Sequence, residues 1–148
     1  MELIPVKATI GENVEFANNP LCQETLPFSV DYYKVVGFSP PWICYYASQQ
    51  GELVGSAAFK GRPINGVVEI AYSTFDKFQR QGMGTSICEK LVELSLQTDP
   101  SIRITARTLP QRNYSTRILE KNNFTYLGVV QDLDDGLVWE WEYRGRNK

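Results

Sequence analysis

Residues 69–85 read EIAYSTFDKFQRQGMGT, and this is the most informative stretch of the chain. A run of β-forming residues leads into a loop that contains Gly82 and Gly84, and from Met83 the apolar residues recur at the spacing of one helix face. A helix start leaves backbone N–H groups unpaired at the positive end of the helix dipole, and glycines let an anion approach them. The stretch therefore predicts a strand, an anion-binding loop and a helix. A plain helix start with two glycines is the alternative.

Several common site types are excluded by the residues themselves. Ile87 occupies the third glycine position of the dinucleotide-binding GxGxxG pattern, and the Gly-Lys-Ser/Thr of a phosphate-binding NTPase loop is absent. The chain has no histidine, which excludes Ser-His and Cys-His catalysis and removes the usual zinc ligands. The three cysteines are widely spaced and odd in number, so they predict reduced, buried thiols. We expect no metal site.

The flanking segments predict an α/β protein with a mixed sheet layered with helices. Strands are expected at 42–48, 53–60 and 67–74, as a hairpin that extends into a meander. A helix from Met83 to Asp99 follows, and then a strand at 102–108, a helix at 113–122 and closing strands at 125–131 and 137–143. The first forty residues predict one short strand and one or two short helices, because prolines interrupt every pattern there.

Length and charge limit the class of protein. The 148 residues predict a single domain over 1–148. The net charge is -2 and no long basic run occurs, so nucleic acid is not expected as a partner. The N-terminal segment has no apolar stretch of signal-peptide or membrane-span length, which predicts a cytoplasmic protein without a membrane partner.

Two blocks of the sequence resemble the GNAT N-acetyltransferase superfamily. Its signature Gln/Arg-x-x-Gly-x-Gly/Ala is present at Gln79, Gly82 and Gly84. Residues 109–124, LPQRNYSTRILEKNNF, are similar to the Asn-x-Ser-x-x-Val/Ile-Leu-Glu-Lys-x-Gly-Phe segment of the branch that includes the ribosomal-protein N-terminal acetyltransferases. The final strand, DDGLVWEW at 134–141, is similar to the same branch. The blocks occur in the family's order and spacing, which makes the resemblance more specific than either motif alone.

The resemblance implies a mostly antiparallel sheet that splays between strands four and five, with acetyl-CoA lying between 67–74 and 102–108. For Asn113 and Ser115, which the resemblance places near the thiol end of the cofactor, helix capping is the alternative role. The residues implied in cofactor binding are Ala71, Tyr72, Ser73, Thr74, Gln79, Arg80, Gln81, Gly82, Met83, Gly84, Thr85, Asn113 and Ser115.

The implied reaction is direct transfer of the acetyl group to a primary amine, which needs a base and an oxyanion donor. Glu69 is the candidate base, because it interrupts an apolar strand at an interval before Gln79 where some GNAT enzymes carry a carboxylate. Pairing with Arg103 or Arg107 is its alternative role. A backbone N–H of the strand near residues 70 and 71 would donate a hydrogen bond to the oxyanion.

The proton donor to the leaving thiolate is an open question. Leu119 lies where many family members have a tyrosine in this role. Tyr72 is the catalytic candidate that replaces it, and Tyr114 or solvent are the alternatives. A non-catalytic acyl-CoA-binding or sensing module is the alternative function.

The acceptor is predicted to be a peptide or protein N-terminus or a small molecule. Aromatic rings and an acid suit an ammonium, so the predicted substrate-binding residues are Asp31, Tyr32, Tyr33 and Trp42. A place in the core is the alternative for each of them. A homodimer through the strand with Trp139 and Trp141 is one option, and core packing of these indoles is the other.

Overall fold

The computed structural model describes residues 1–145 of the chain. The predicted single domain also includes residues 146–148, which lie outside this range. The strands are β1 (Glu2–Pro5), β2 (Cys44–Gln49), β3 (Glu52–Phe59), β4 (Val67–Thr74), β5 (Arg103–Thr108), β6 (Phe124–Asp132) and β7 (Gly136–Tyr143). The helices are α1 (Val14–Ala17), α2 (Thr25–Val36), α3 (Met83–Thr98) and α4 (Tyr114–Lys121).

All seven strands form one sheet in the order β1-β2-β3-β4-β5-β7-β6. Only β4 and β5 run parallel, and every other neighbouring pair is antiparallel. The register of β4 and β5 starts at Val67 opposite Arg103 and ends at Ile70 opposite Ala106. Both strands continue beyond this point without pairing to each other, so the predicted opening between strands four and five is confirmed.

Helices cover both faces of the sheet. On one face, the ring of Phe16 in α1 lies 4.7 Å from that of Tyr46, and Thr25 at the start of α2 bonds the Tyr46 hydroxyl. On the other face α3 lies so close to β3 that a Cβ added to Gly55 would stand 2.9 Å from Cδ1 of Ile87. The same Cβ would collide with the backbone carbonyl oxygen of Ser73 on β4, which cannot move aside as a side-chain methyl group can, so glycine is required at position 55. Among residues 1–145, no helix is both long and apolar enough to span a membrane.

The N-terminal region differs from the prediction of short helices, because α2 is twelve residues long. Pro27 lies in the first turn of α2, where the backbone N–H has no partner within the helix and a proline costs little. Pro20 occupies the first position of a short 3-10 turn in the same way. The prolines that suggested interruptions therefore start these elements.

The last strand, β7, presents Trp141 to one face of the sheet and Glu142 to the other. Trp141 is 1% exposed and its indole N–H donates to the Thr108 hydroxyl at 3.1 Å, so it belongs to the core. On the opposite face Glu142 is paired with Arg103 at 2.9 Å. Core packing thus accounts for Trp141 without a dimer.

Candidate active site

The loop before α3 has the geometry of an anion site. Arg80 and Gly82 both have left-handed backbones, with φ of 64° and 79°. Left-handed residues in a turn of this kind direct successive N–H groups to one side, and α3 begins at Met83 directly behind them. The loop is fixed to the end of β4 by Gln79, whose side-chain amide donates to the Thr74 carbonyl at 3.3 Å.

A cavity of about 460 Å³ lies between this loop and α4. It is lined by Gln79, Arg80, Gly82, Thr85, Tyr114, Arg117, Ile118 and Lys121. Gln79, Arg80, Gly82 and Thr85 are among the predicted cofactor residues. The lining residues on α4 are not among them. Their signal in the sequence is the i, i+4 spacing of Arg117 and Lys121, which puts both cations on one side of the helix.

Three cations line this cavity. Arg80, Arg117 and Lys121 make no salt bridge within the part of the chain that the structure describes. The Tyr114 hydroxyl is buried and has no hydrogen bond to any residue of 1–145. Three cations and an unpaired hydroxyl group around one cavity are suited to phosphate groups.

Helix α4 is held in place by its two ends. Asn113 and Thr116 form a reciprocal capping box, in which the Asn113 side chain accepts from the Thr116 N–H at 3.2 Å. At the other end Asn122 donates to the carbonyl of Thr85 in α3 at 3.2 Å. The capping role of Asn113 is therefore observed, and α3 and α4 are joined as the two walls of the cavity.

A second cavity, of about 260 Å³, occupies the opening where β4 and β5 separate. It is lined by Lys60, Ile70, Ala71, Tyr72, Ala106, Arg107, Thr108, Leu109, Ser115, Asp135 and Val138. Peptide groups of a strand alternate between its two neighbours. The Glu69 carbonyl accepts from the Lys60 N–H beside β3, and the Gly66 carbonyl accepts from the Arg103 N–H at β5. Odd-numbered residues of β4 therefore point their peptide groups toward β3 and even-numbered residues point theirs toward β5, so the peptide groups of Tyr72 face the opening.

This alternation determines which backbone N–H groups of β4 face the opening. Ala71 lies two residues after Glu69, whose carbonyl bonds the Lys60 N–H beside β3, so the Ala71 N–H also points toward β3 and away from the opening. Ile70 is the last residue of β4 that pairs with β5. The N–H of Tyr72 is the next strand amide that faces the cavity, one residue beyond the expected position.

The Tyr72 side chain also lies at the opening. Its hydroxyl donates to the backbone carbonyl of Ser115 at 3.3 Å, which places it beside the start of α4. Burial raises the pKa of Tyr72 well above its usual range. The phenol therefore keeps its proton at neutral pH and acts as a hydrogen-bond donor. Leu119, in the position of the family tyrosine, is fully buried in the core.

Glu69 lies on the opposite face of β4 from Tyr72, next to a lysine. Its Oε2 is 3.3 Å from Nζ of Lys60, and its side chain is 22% exposed. The sequence suggested Arg103 or Arg107 as the partner, but Arg103 pairs with Glu142, and Arg107 pairs with Asp132. Lys60 was missed, because nothing in the sequence shows that the end of β3 lies beside Glu69.

The predicted substrate residues do not come together. Tyr33 is 6% exposed, and its hydroxyl donates to the Val6 carbonyl at 2.7 Å and accepts from the Cys44 N–H at 2.9 Å. Its place is the core, because α2 turns its buried side toward β2. Asp31 is exposed and pairs with Lys34 at 3.5 Å.

Tyr32 is the predicted substrate residue that comes near the candidate base. Burial raises the pKa of Tyr32, and the charges of Lys60 and Glu69 are close enough to act on it as well. Trp42 is half-buried and packs edge-to-face on Phe59, with ring centroids 5.1 Å apart. Of the four predicted residues, Tyr32 is the one whose pKa is affected by the charges of Lys60 and Glu69.

The cysteines are free and buried, as the sequence predicted. Burial raises the pKa of Cys88 to about 12 and raises the pKa of Cys22 and Cys44 too. These thiols stay protonated at neutral pH and are poor nucleophiles. Residues 1–145 contain no cluster of side chains that could hold a metal ion.

Comparison with known sequences gives a family match. The model of the family described as "Acetyltransferase (GNAT) family" matches residues 15–124. A curated relative, the uncharacterized N-acetyltransferase YjdG of Bacillus subtilis (strain 168), is 35% identical over 74 residues. That match includes 49% of this chain and 44% of the relative, so the matched part spans less than half of the relative's length.

Comparison with solved structures gives the same fold. The complex of AAC(6')-Ib with ribostamycin and coenzyme A is 25% identical, with a TM-score of 0.60 over 68% of this chain and 63% of that chain. The complex with paromomycin and acetyl-CoA is 22% identical, with a TM-score of 0.66 over 96% and 90%. A GnaT-family acetyltransferase from Bordetella pertussis is 18% identical, with a TM-score of 0.69 over 96% and 94%. The last two similarities establish the fold alone.

Proposed function

Because the chain belongs to the GNAT acetyltransferase family, we propose that it transfers the acetyl group of acetyl-CoA directly to a primary amine. The observation that carries the proposal is the opening between β4 and β5. A cavity lined by three cations that make no salt bridge within residues 1–145 lies at one side of it, and a carboxylate lies on the other face of the sheet. This arrangement separates a phosphate-bearing donor from an amine acceptor.

The cofactor would be held at three places along the cleft. The N–H groups between Gln81 and Thr85 and the cations of the first cavity suit the diphosphate. The outward peptide groups of Tyr72 suit the pantetheine arm, which carries amides of its own. Ser115 lines the second cavity and suits the thiol end.

Acyl transfer needs an unprotonated amine and a donor for the oxyanion. Glu69 would take a proton from the acceptor ammonium, whose nitrogen then attacks the thioester carbonyl. The N–H of Tyr72 would donate to the oxyanion as the tetrahedral centre forms. The Tyr72 hydroxyl would donate a hydrogen bond to the leaving sulfur, and solvent would supply its proton, because a phenol with a raised pKa holds its own.

Direct transfer, without an acetylated cysteine, is supported by the state of the thiols. A thiolate is the nucleophilic form, and burial keeps all three cysteines protonated. Trapping of a kinetically competent acetyl-cysteine would contradict this part of the proposal.

Two acceptor classes have separate support. Similarity of residues 109–124 to the ribosomal-protein branch supports a peptide N-terminus. The AAC(6')-Ib complexes contain aminoglycosides, which carry several ammonium groups, and here Asp134 and Asp135 form an acidic hairpin tip beside the second cavity. Both classes belong in the same substrate screen.

A non-catalytic acyl-CoA-binding module is the second candidate function. The observation that favours it is Leu119, which is buried where many relatives have the catalytic tyrosine. Thioester cleavage that depends on an added amine and is lost in Glu69→Gln would exclude it. Binding of acetyl-CoA without turnover on either acceptor class would support it.

The first experiment is isothermal titration of acetyl-CoA into the wild type, Gly82→Trp and Gly82→Asn. A Cβ at position 82 meets no atom within 4 Å, so the indole would extend into the mouth of the cavity. Asparagine tolerates the left-handed backbone at φ 79°, so Gly82→Asn controls for the backbone alone. Binding by the wild type and Gly82→Asn but not by Gly82→Trp supports the proposal. Absence of binding by a folded wild type overturns it.

A further inference from the structure

Lys60 is a nucleophilic side chain inside the proposed acyl-transfer site. It follows directly after β3 and lines the cavity in which β4 and β5 separate. Its backbone N–H donates to the carbonyl of Glu69 at 2.8 Å, so the two residues are held side by side on neighbouring strands. Its Nζ lies 3.3 Å from Oε2 of Glu69. The chain thus places one of its own primary amines against the candidate base.

The surroundings of Lys60 are those expected of an acceptor site for an alkylammonium. Burial lowers the pKa of the Lys60 ammonium, but Glu69, Asp132 and Tyr32 together raise it above the usual value. The Oε2 atom of Glu69 is buried and accepts no well-directed hydrogen bond from residues 1–145, so its contact with Lys60 is an ion pair alone. Such an oxygen is free to accept an N–H and then its proton.

We propose that Lys60 is itself an acetyl acceptor, and that the protein acetylates this side chain when acetyl-CoA is bound and no external amine competes. The inference rests on the proposed function. Glu69 removes one proton from the Lys60 ammonium, and the nitrogen lone pair attacks the thioester carbonyl. The C–N bond forms, the C–S bond breaks with its electron pair on sulfur, and the second proton of the attacking nitrogen passes through solvent to the thiolate, which leaves as coenzyme A. The product is a neutral amide, so Glu69 loses the cation that pairs with it.

The chain contains a matched internal control for unassisted acetylation. The Lys90 side chain is 38% exposed and lies 3.4 Å from Glu93, whereas the Lys60 side chain is 37% exposed and lies 3.3 Å from Glu69. Lys90 is on α3 and lines neither cavity. Exposure and carboxylate distance are matched in the two lysines, the raised pKa of Lys60 can only slow its chemical acetylation in solution, and more exposed lysines such as Lys34 react faster. Only transfer within the site favours Lys60.

The experiment incubates the full chain with isotope-labelled acetyl-CoA and quantifies the label at each lysine by peptide mass spectrometry. We expect the Lys60 rate to exceed the Lys90 rate at least about tenfold, since a positioned base contributes about 100-fold or more. Glu69→Gln should reduce labelling of Lys60 to the Lys90 level and leave Lys90 unchanged. Lys60→Arg, which keeps the charge, should remove the main labelled site without moving the label to other lysines.

Titration of acetyl-CoA on the same preparation separates the two ways to fail. If the wild type binds acetyl-CoA but labels Lys60 and Lys90 equally, or leaves Lys60 unlabelled, this inference is wrong and the proposed function stands. If a folded wild type binds no acetyl-CoA, both are overturned. Labelling of Lys60 that persists in a folded Glu69→Gln variant also contradicts the proposal, because proton removal by Glu69 is part of it.

Discussion

Neutralising the two cations of α4 is the sharpest test of the cofactor cavity. Arg117 and Lys121 line it, have exposed side chains and make no salt bridge within residues 1–145. Their charges are therefore available to a phosphate, but solvent screens them. An exposed charge of this kind is worth about 1 kcal/mol toward a bound anion. Replacing both residues by glutamine should cost about 2 kcal/mol, which corresponds to an increase of about 30-fold in the Kd for acetyl-CoA.

The assay is isothermal titration at low and at physiological ionic strength. The loss should shrink at the higher salt concentration, because the interaction is screened there. A double variant with Lys34→Gln and Lys90→Gln makes the same change in net charge outside both cavities. Equal losses in the two double variants would refute a local site and leave only an effect of net charge. Repeating the titration with dephospho-coenzyme A then shows whether these cations contact the 3′-phosphate.

Three further predictions concern stability. Tyr33→Phe should lower the free energy of unfolding by about 1–3 kcal/mol in a urea titration, because it leaves the Val6 carbonyl and the Cys44 N–H unpaired. A changed KM for the acceptor without this loss of stability would instead indicate that Tyr33 binds substrate. The amides of Asp134, and then Arg107, lower the pKa of Asp132 to about 2, so its stabilisation is complete above about pH 4 and is lost as pH falls toward 2. Asp132→Asn should therefore be less stable than the wild type at neutral pH, and the two urea midpoints should converge near pH 2; a constant gap would contradict the ion pair. Gly84→Ala places a Cβ 2.5 Å from Cδ1 of Ile118 and should lower the free energy of unfolding by about 1–3 kcal/mol. Valine lacks the Cδ1 atom, so adding Ile118→Val should recover most of this stability if the clash is the cause.

The single domain over 1–148, the cytoplasmic location and a homodimer stay predictions from the sequence. The N-acetyltransferase family and the mixed sheet are established by the comparisons and the fold. Roles of individual site residues await the experiments above.

Local patterns predicted the elements that carry their own signals. The helix expected from Met83 runs to Thr98, and the second runs from Tyr114 to Lys121, with Asn123 left-handed at φ 67° behind it. Capping residues and apolar spacing act within a few positions of the chain, so they can be recognised in the sequence without knowledge of the tertiary structure. The prediction of short helices was wrong for α2, because a proline that would break the interior of a helix is tolerated in its first turn.

The order of strands and helices, the glycine loop before α3 and the family could be predicted from the sequence. Which distant residues come into contact depends on the tertiary structure. It put Lys60 against Glu69, turned the Tyr72 amide to the opening and buried the Tyr33 hydroxyl in the core. The reason is that sheet register and helix docking bring together residues far apart in the chain, and the charge of a lysine carries no information about which carboxylate it will face.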